Sequence, residues 1–167
     1  MARGKLRGCE RGSAAAEMAL LLPFLTVLLF GSIELGYYFY NEHQIVKGVR
    51  DGARYASRQS LASLNCVGGS TIPSAIETSI KEVTRTGQIT GGNARVPGWV
   101  NADVTVTVTC PGSSGTAVTT GIYAEEPDAP VVNVTTTVAY ESLFGPLGLV
   151  NSTYSLTATQ QSAVMGI

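Results

Sequence analysis

The stretch MALLLPFLTVLLFGSI, residues 18–33, decides how this chain folds. It carries no charge, and with its small-residue flank it reaches the roughly 20 residues that a helix needs to cross a bilayer. An ordinary secretory signal has a shorter apolar core that ends in an Ala-x-Ala-like cleavage site, and residues 33–37 offer no such site. A lipoprotein signal does not fit either, because Cys9 precedes the run. The sequence therefore predicts a membrane helix that is kept, rather than a signal that is removed after the run.

The flank before this run is basic, and its basic residues are Arg3, Lys5, Arg7 and Arg11. Because Lys and Arg favour the cytoplasmic side, we expect the leader inside and everything after Glu34 outside the inner membrane. Residues 13–167 then carry 7 basic and 11 acidic side chains, a formal charge of −4. That balance excludes the clustered basic surface with which proteins bind DNA or RNA.

Gly12 closes the basic leader, and Glu17 is the fifth residue after it, where the apolar run begins. This arrangement resembles class-three signal peptides, which a prepilin peptidase would cut here between Gly12 and Ser13. A carboxylate at the end of a membrane helix is costly unless it is paired. The freed amine of Ser13 on a neighbouring subunit would be a natural partner for Glu17 in a packed fibre. The alternative is a Glu17 side chain that faces headgroup water.

The resemblance extends to one family. Residues 12–23, GSAAAEMALLLP, look like the start of TadE-like proteins of tight-adherence (Tad, Flp-type) pilus systems. Residues 51–56, DGARYA, are similar to the end of the family's long helix. The family's closing strands are resembled by three further segments: VTTTVAY (134–140), FGPL (144–147) and LTAT (156–159). The resemblance implies a minor pilin or pseudopilin that aids pilus initiation, assembly and surface adhesion. Its implied partners are major and minor pilin subunits, the prepilin peptidase and the inner-membrane assembly platform.

The helix is expected to continue beyond the membrane. Apolar or small residues recur with helical spacing at Ile45, Val49, Gly52 and Ala56, while charged residues occupy the opposite face at Lys47, Arg50, Asp51, Arg54 and Arg58. We expect one helix over residues 13–60 that spans the membrane to about residue 35. Pro23 lacks a backbone N–H and crowds the carbonyl of Ala19, which predicts a distortion in the preceding turn.

Tyr37, Tyr38 and Tyr40 follow the apolar run. They suit an aromatic belt at the membrane interface, and they equally suit packing against the helix's own domain. Gly31, Gly36, Gly48 and Gly52 could loosen the helix or let neighbours approach closely.

Residues 61–167 predict a small extracytoplasmic domain. Its elements are a helix over 73–85 that stops at Gly87, strands over 103–110, 131–140 and 154–160, a fourth strand over 116–123, and an exposed acidic loop over 125–130. Three or four antiparallel strands packed on the long helix would enclose one core. The expected fold class is α+β: a long N-terminal pilin-like helix, transmembrane in its first half, on a small antiparallel sheet with one short extra helix. The expected division is a leader over 1–12, the helix over 13–60 and the domain over 61–167.

Cys9 should leave with the leader, so two cysteines remain outside the membrane, where disulfides persist. We therefore expect Cys66 and Cys110 to be joined, closing a loop of about 45 residues. The alternative is a pair of buried free thiols.

Groups for catalysis are sparse. His43 is the only histidine, and its polar surroundings in sequence favour a solvated side chain. No Ser-His-Asp set, Cys-x-x-Cys pair or phosphate-binding glycine loop is present, so we expect no catalytic residue, no metal site and no cofactor. Three functions remain: a minor pilin that initiates or caps a fibre, a tip adhesin that binds through residues 86–130, and a stationary membrane-anchored assembly factor of the secretion system.

Overall fold

The computed structural model describes residues 10–64, 66, 71–110, 121–124, 128–148 and 154–166. In these ranges the helices are α1 (Glu10–Ser57) and α2 (Ser74–Thr86), and the strands are β1 (Val104–Thr109), β2 (Val131–Ala139) and β3 (Ser155–Ala163). The strands form an antiparallel sheet in the order β1-β2-β3. The predicted α+β fold, with a long N-terminal helix and one short extra helix, is confirmed.

The chain divides into two compact units, Met1–Tyr37 and Tyr38–Ile167. The described part of the first unit is helix α1 up to Tyr37. The second unit contains the rest of α1, together with α2 and the sheet. This unit begins inside α1 at Tyr38, whereas the folded domain was expected to begin at residue 61, after the end of the helix. The boundary is earlier because α1 buries side chains from Tyr38 on. The buried residues on this stretch include Asn41, Ile45, Val49, Ala53 and Ala56.

Within the second unit, contacts at both ends fix how α1 lies along the sheet. At one end the rings of Tyr38 and Tyr140 meet edge to face, with centroids 5.2 Å apart, and Tyr140 N donates to Tyr154 O at 2.9 Å. At the other end Met165 N donates to Ser57 O at 2.8 Å. Strand β3 lies between Tyr154 and Met165, so it runs in the same direction as this part of α1. Twenty helical residues and nine extended residues both span about 30 Å, which is why the two ends match.

Helix α2 packs against α1 where α1 has no side chains. A methyl group on Gly48 would collide with the carbonyl oxygen of Thr84 and would lie 2.7 Å from Cη2 of Trp99. A methyl group on Gly52 would collide with Thr84 Oγ1. The two glycines therefore permit a close approach of the helices that no larger residue would allow.

Trp99 fills the centre of the second unit and is fully buried. Its Nε1 donates to Thr136 Oγ1 at 3.0 Å, and Thr136 Oγ1 in turn donates to Asp103 O at 2.9 Å. The buried polar atoms of Trp99 and Thr136 are thus satisfied inside the core, as buried polar groups must be.

The elements of the second unit largely follow their sequence signals. Pro73 directly precedes α2, and Gly87 ends it in a left-handed conformation (φ 81°) with its N–H bonded to Val83 O. Strand β1 alternates buried valines with exposed threonines as predicted. Strand β3 extends three residues past the expected end, because its register pairs all of β2, from Val131 with Ala163 to Ala139 with Ser155.

Two expectations in this unit have other outcomes. The described end of the expected fourth strand, Gly121–Tyr123, is a 3₁₀ turn, and residues 116–120 lie outside the described ranges. The acidic loop over 125–130 was expected to be exposed; residues 125–127 lie outside the described ranges, and Asp128 is buried and accepts a hydrogen bond from Ala129 N at 2.7 Å.

The two cysteines expected to pair, Cys66 and Cys110, form a disulfide in the structure, with Cα atoms 6.0 Å apart.

Candidate assembly segment

The first unit exposes the apolar run along its whole length. Each of its large apolar side chains from Met18 to Leu35 is exposed, from 39% for Phe30 to 79% for Leu20. By length and composition α1 could cross a membrane, and none of its most apolar window is buried. Apolar surface costs about 25 cal/mol per Å² in water, so this segment requires a cover of lipid or protein.

The predicted cleavage site lies in the first turns of α1, which begins at Glu10. Gly12 and Ser13 are both exposed. A methyl group on Gly12 would meet no other atom within 4 Å, so packing in the described chain does not require glycine here. Inside a helix, glycine is about 0.5–1 kcal/mol less stabilising than alanine. Because the fold of the subunit gives no reason for glycine at this position, its presence favours a role in contact with another protein.

Glu17 lies one helical turn after Ser13 and is exposed. Ser13 Oγ donates to Glu17 Oε1 across 3.5 Å, at the long limit of a hydrogen bond. No Lys, Arg or His of the described residues forms an ion pair with Glu17. The carboxylate is therefore accessible to a cation from another chain.

Pro23 lies inside α1, whose bounds run past it from Glu10 to Ser57. Three residues later, Thr26 Oγ1 donates to Pro23 O at 2.8 Å. The distortion expected in the turn before Pro23 stays a prediction.

The aromatic residues after the apolar run differ in their surroundings. Tyr38 packs edge to face on Tyr140 of its own domain, whereas Tyr40 remains 56% exposed. Leu143 and Tyr154 are also half or more exposed, and no sequence pattern marks either of them as a surface residue. The signal for them was weak, since one lies in an irregular loop and the other reads as the start of a strand.

Charged groups of the second unit serve to join its elements. Arg95 Nη2 pairs with Asp51 Oδ2 at 2.7 Å, and Asn101 Nδ2 donates to Glu82 Oε1 at 2.7 Å. The hydrogen bond from Asn101, with help from the adjacent Arg85, lowers the pKa of Glu82 below its ordinary value of 4.5, although partial burial opposes the change. The bond from Asn101 ties α2 to the segment that follows it, and the pair between Arg95 and Asp51 ties that segment to α1.

Outside the apolar segment, the described residues offer few groups for chemistry. In the part of the chain that the structure describes, no group of three or more His, Cys, Asp or Glu residues could hold a metal ion. A groove of about 390 Å³ beside β1 has Glu77 as its titratable side chain, and Glu77 is paired with Lys81 at 2.7 Å. His43 is exposed on α1. The described residues offer no nucleophile beside a general base in that groove.

Comparison with known proteins identifies the N-terminal segment. Residues 12–54 match the family described as TadE-like protein, which confirms the resemblance predicted from the sequence over about a quarter of the chain. No curated protein and no solved structure matches the chain. The matched range contains Gly12, Ser13, Glu17 and Pro23, whereas the similarities near the C-terminus lie outside it. Together with the apolar helix, the match makes the N-terminal segment similar to that of TadE-like, pilin-like proteins, which suggests membrane anchoring.

Proposed function

We propose that this chain is a minor pilin of a Tad-type pilus. It is first held in the inner membrane by α1, with the leader in the cytoplasm and the second unit outside. A prepilin peptidase cuts between Gly12 and Ser13, and the mature subunit then enters the surface pilus, where it aids initiation, assembly and adhesion. The observation that carries the proposal is the exposed apolar helix with Glu17 at its start, within the range that matches TadE-like proteins.

The exposed apolar surface supports transfer from membrane to fibre. Side chains such as Leu20 and Val27 are covered equally well by lipid tails and by neighbouring apolar helices, so leaving the bilayer requires no exposure to water. A methyl group on Gly31 or Gly36 would meet no atom within 4 Å beyond its own helix turn, so nothing in the described part of the chain fills the space beside these glycines. Small residues of this kind let helices approach closely.

Glu17 supplies the charge that such a fibre requires. Cleavage would leave an ammonium group on Ser13, at a helix N-terminus where positive charge is unfavourable. Glu17 of the same chain lies one turn away, and Glu17 of a neighbour can also reach the amine in a packed bundle. Either pair neutralises the amine, but only the pair between subunits joins one subunit to the next.

Mass spectrometry of sheared surface filaments and of membranes tests the proposal. We expect the chain in the filament fraction to begin at Ser13, and the Gly12→Leu variant to stay full length in the membrane. A mature chain found only in membranes would contradict the proposal and would favour a stationary assembly factor. A full-length chain in filaments would contradict processing at Gly12.

A further inference from the structure

We propose that one end of the second unit rests in the lipid headgroup layer through Phe39, Tyr40, Leu143 and Tyr154, which we call the proximal rim. This inference rests on the membrane anchoring by α1 proposed above. It adds a second membrane contact, made by the folded domain itself rather than by the apolar run.

Contacts inside the second unit bring the rim residues to one end. Phe39 and Tyr40 directly follow Tyr38, whose ring packs on Tyr140. Tyr140 N is bonded to Tyr154 O, which places Tyr154 at the same level. Leu143 follows Tyr140 by three residues, in a tight turn that Gly145 N closes by donating to Ser142 O at 3.3 Å.

The rim side chains are exposed although they are large and apolar or aromatic. Their exposed fractions are 49% for Phe39, 56% for Tyr40, 50% for Leu143 and 63% for Tyr154. Tyr140, at the same end, is only 3% exposed, so the core there is complete without them. The exposed apolar surface of the rim is therefore available to contact lipid.

The charges around the rim are suited to an interface. Residues 38–41 carry no charge, Glu42 follows them exposed on α1, and Glu141 is the one charged residue among residues 138–148. The carboxylate of Glu141 is turned toward a neighbouring turn, since a methyl group on Gly98 would lie 2.7 Å from Glu141 Oε1. Aromatic side chains with few charges around them are the composition found where proteins meet the headgroup region, and a carboxylate at its edge can stay in headgroup water.

Chain connection and shape favour lipid over a second copy as the occupant. Tyr38 follows the apolar Leu35 by three residue steps, which reach no further than about 11 Å. Phe39 and Tyr40 point about 100° apart around the helix axis, so these two side chains do not form one flat patch. Exposed side chains that share a level but not a face suit a plane such as the membrane surface better than they suit a partner's face.

Depth-dependent fluorescence quenching tests the rim in the full-length chain. The Leu143→Trp variant is reconstituted in phosphatidylethanolamine–phosphatidylglycerol vesicles that contain a lipid with a nitroxide on its headgroup. Trp99 is 1% exposed and provides a constant background. The matched control is Ile89→Trp, because Ile89 is 54% exposed in the same unit. Ile89 is close in sequence to Gly87, which lies against Arg95. Arg95 pairs with Asp51, and Asp51 is about 20 Å along α1 from Tyr38, so Ile89 is far from the rim.

We expect the labelled lipid to remove most of the emission added by Leu143→Trp and little of that added by Ile89→Trp. Tyr154→Trp should behave like Leu143→Trp, which guards against a local effect of one substitution. Equal quenching at Leu143 and Ile89 would overturn the inference. A second copy of the chain would instead protect the new Trp of Leu143→Trp from both labelled lipid and aqueous acrylamide. If this protection increases with protein density, the inference is overturned in favour of a second copy. Flotation of the vesicles reports anchoring by α1 separately, and a chain that does not float contradicts both anchoring and the rim.

Discussion

Gly52 of α1 and Thr84 of α2 are packed so closely that a methyl group on Gly52 would overlap Thr84 Oγ1. Thr84 cannot easily move away, because it is fully buried and its Oγ1 donates to Ile80 O at 2.7 Å. This contact joins the helix that carries the membrane segment to the rest of the second unit.

We expect Gly52→Ala to destabilise the second unit by about 1–3 kcal/mol, the usual cost of overpacking a core. The gain in helix propensity, at most about 1 kcal/mol, would offset only part of this. Thermal unfolding of the full chain in detergent, followed by Trp99 emission, measures the difference. Gly36→Ala is the control, since a methyl group there meets no other atom within 4 Å. If both variants unfold at the wild-type temperature, the close contact does not exist in solution.

The disulfide between Cys66 and Cys110 should persist in the mature protein. Closing a loop of this length contributes about 4 kcal/mol in the chain-entropy model, so Cys66→Ser should lower the midpoint of unfolding markedly. Denatured mature protein, treated with an alkylating reagent without reductant, should take up none. Uptake at both cysteines would show that they are free thiols, and uptake at Cys9 would show that the leader is still attached.

Glu82 should make the second unit sensitive to acid. Its pKa is lowered in the fold, chiefly by the hydrogen bond from Asn101, so its carboxylate stabilises the fold above the ordinary value of 4.5. This contribution is lost as the pH falls through the lowered pKa of the folded state. We expect Glu82→Gln to lose less stability than wild type does as the pH falls below 4.5. Glu77→Gln, at the more exposed pair with Lys81, is the control; a Glu82→Gln profile identical to wild type would contradict the assignment.

Pro23 should weaken α1 in the turn that precedes it, because the carbonyl of Ala19 has no N–H partner at residue 23. We expect the amides of residues 20–22 to exchange with deuterium faster in wild type than in Pro23→Leu, in the full chain in lipid nanodiscs. The amides of residues 28–32 lie in the same helix and provide the internal control. Equal exchange of residues 20–22 in both proteins would rule out a local distortion.

The parts of the fold with a periodic signal could be predicted from the sequence. Ile45, Val49 and Ala56 are buried on α1, and the valines of β1 are buried while its threonines are exposed. The end of α2 followed from Gly87, whose left-handed conformation few other residues adopt. Each of these signals is local, since it depends on spacing or on one residue's backbone preference.

The remaining features depend on contacts that are distant in sequence. The burial of Trp99 depends on Thr136 and Gly48, and the full length of β3 depends on its register with β2. Residues 121–123 alternate poorly and form a 3₁₀ turn instead of a strand. For the candidate site, sequence could place Glu17 at the start of the apolar run, but the partner proposed for it belongs to another subunit, which a single chain does not contain.

We expect Glu17 to act in assembly and not in processing. Glu17→Gln keeps the size of the side chain and its ability to hydrogen-bond, but leaves the amine of Ser13 without a counter-charge in an apolar interior. Removing one partner of a buried ion pair costs about 3–5 kcal/mol, enough to prevent docking. Glu42→Gln is the matched control, because Glu42 is exposed on the same helix within the second unit.

Immunoblots of membrane and sheared-filament fractions from cells with Glu17→Gln, Glu42→Gln and wild-type chains separate assembly from processing. We expect Glu17→Gln to be cut to the mature length, to remain in the membrane and to be absent from filaments, while Glu42→Gln assembles. A Glu17→Gln chain that enters filaments as wild type does would contradict this expectation.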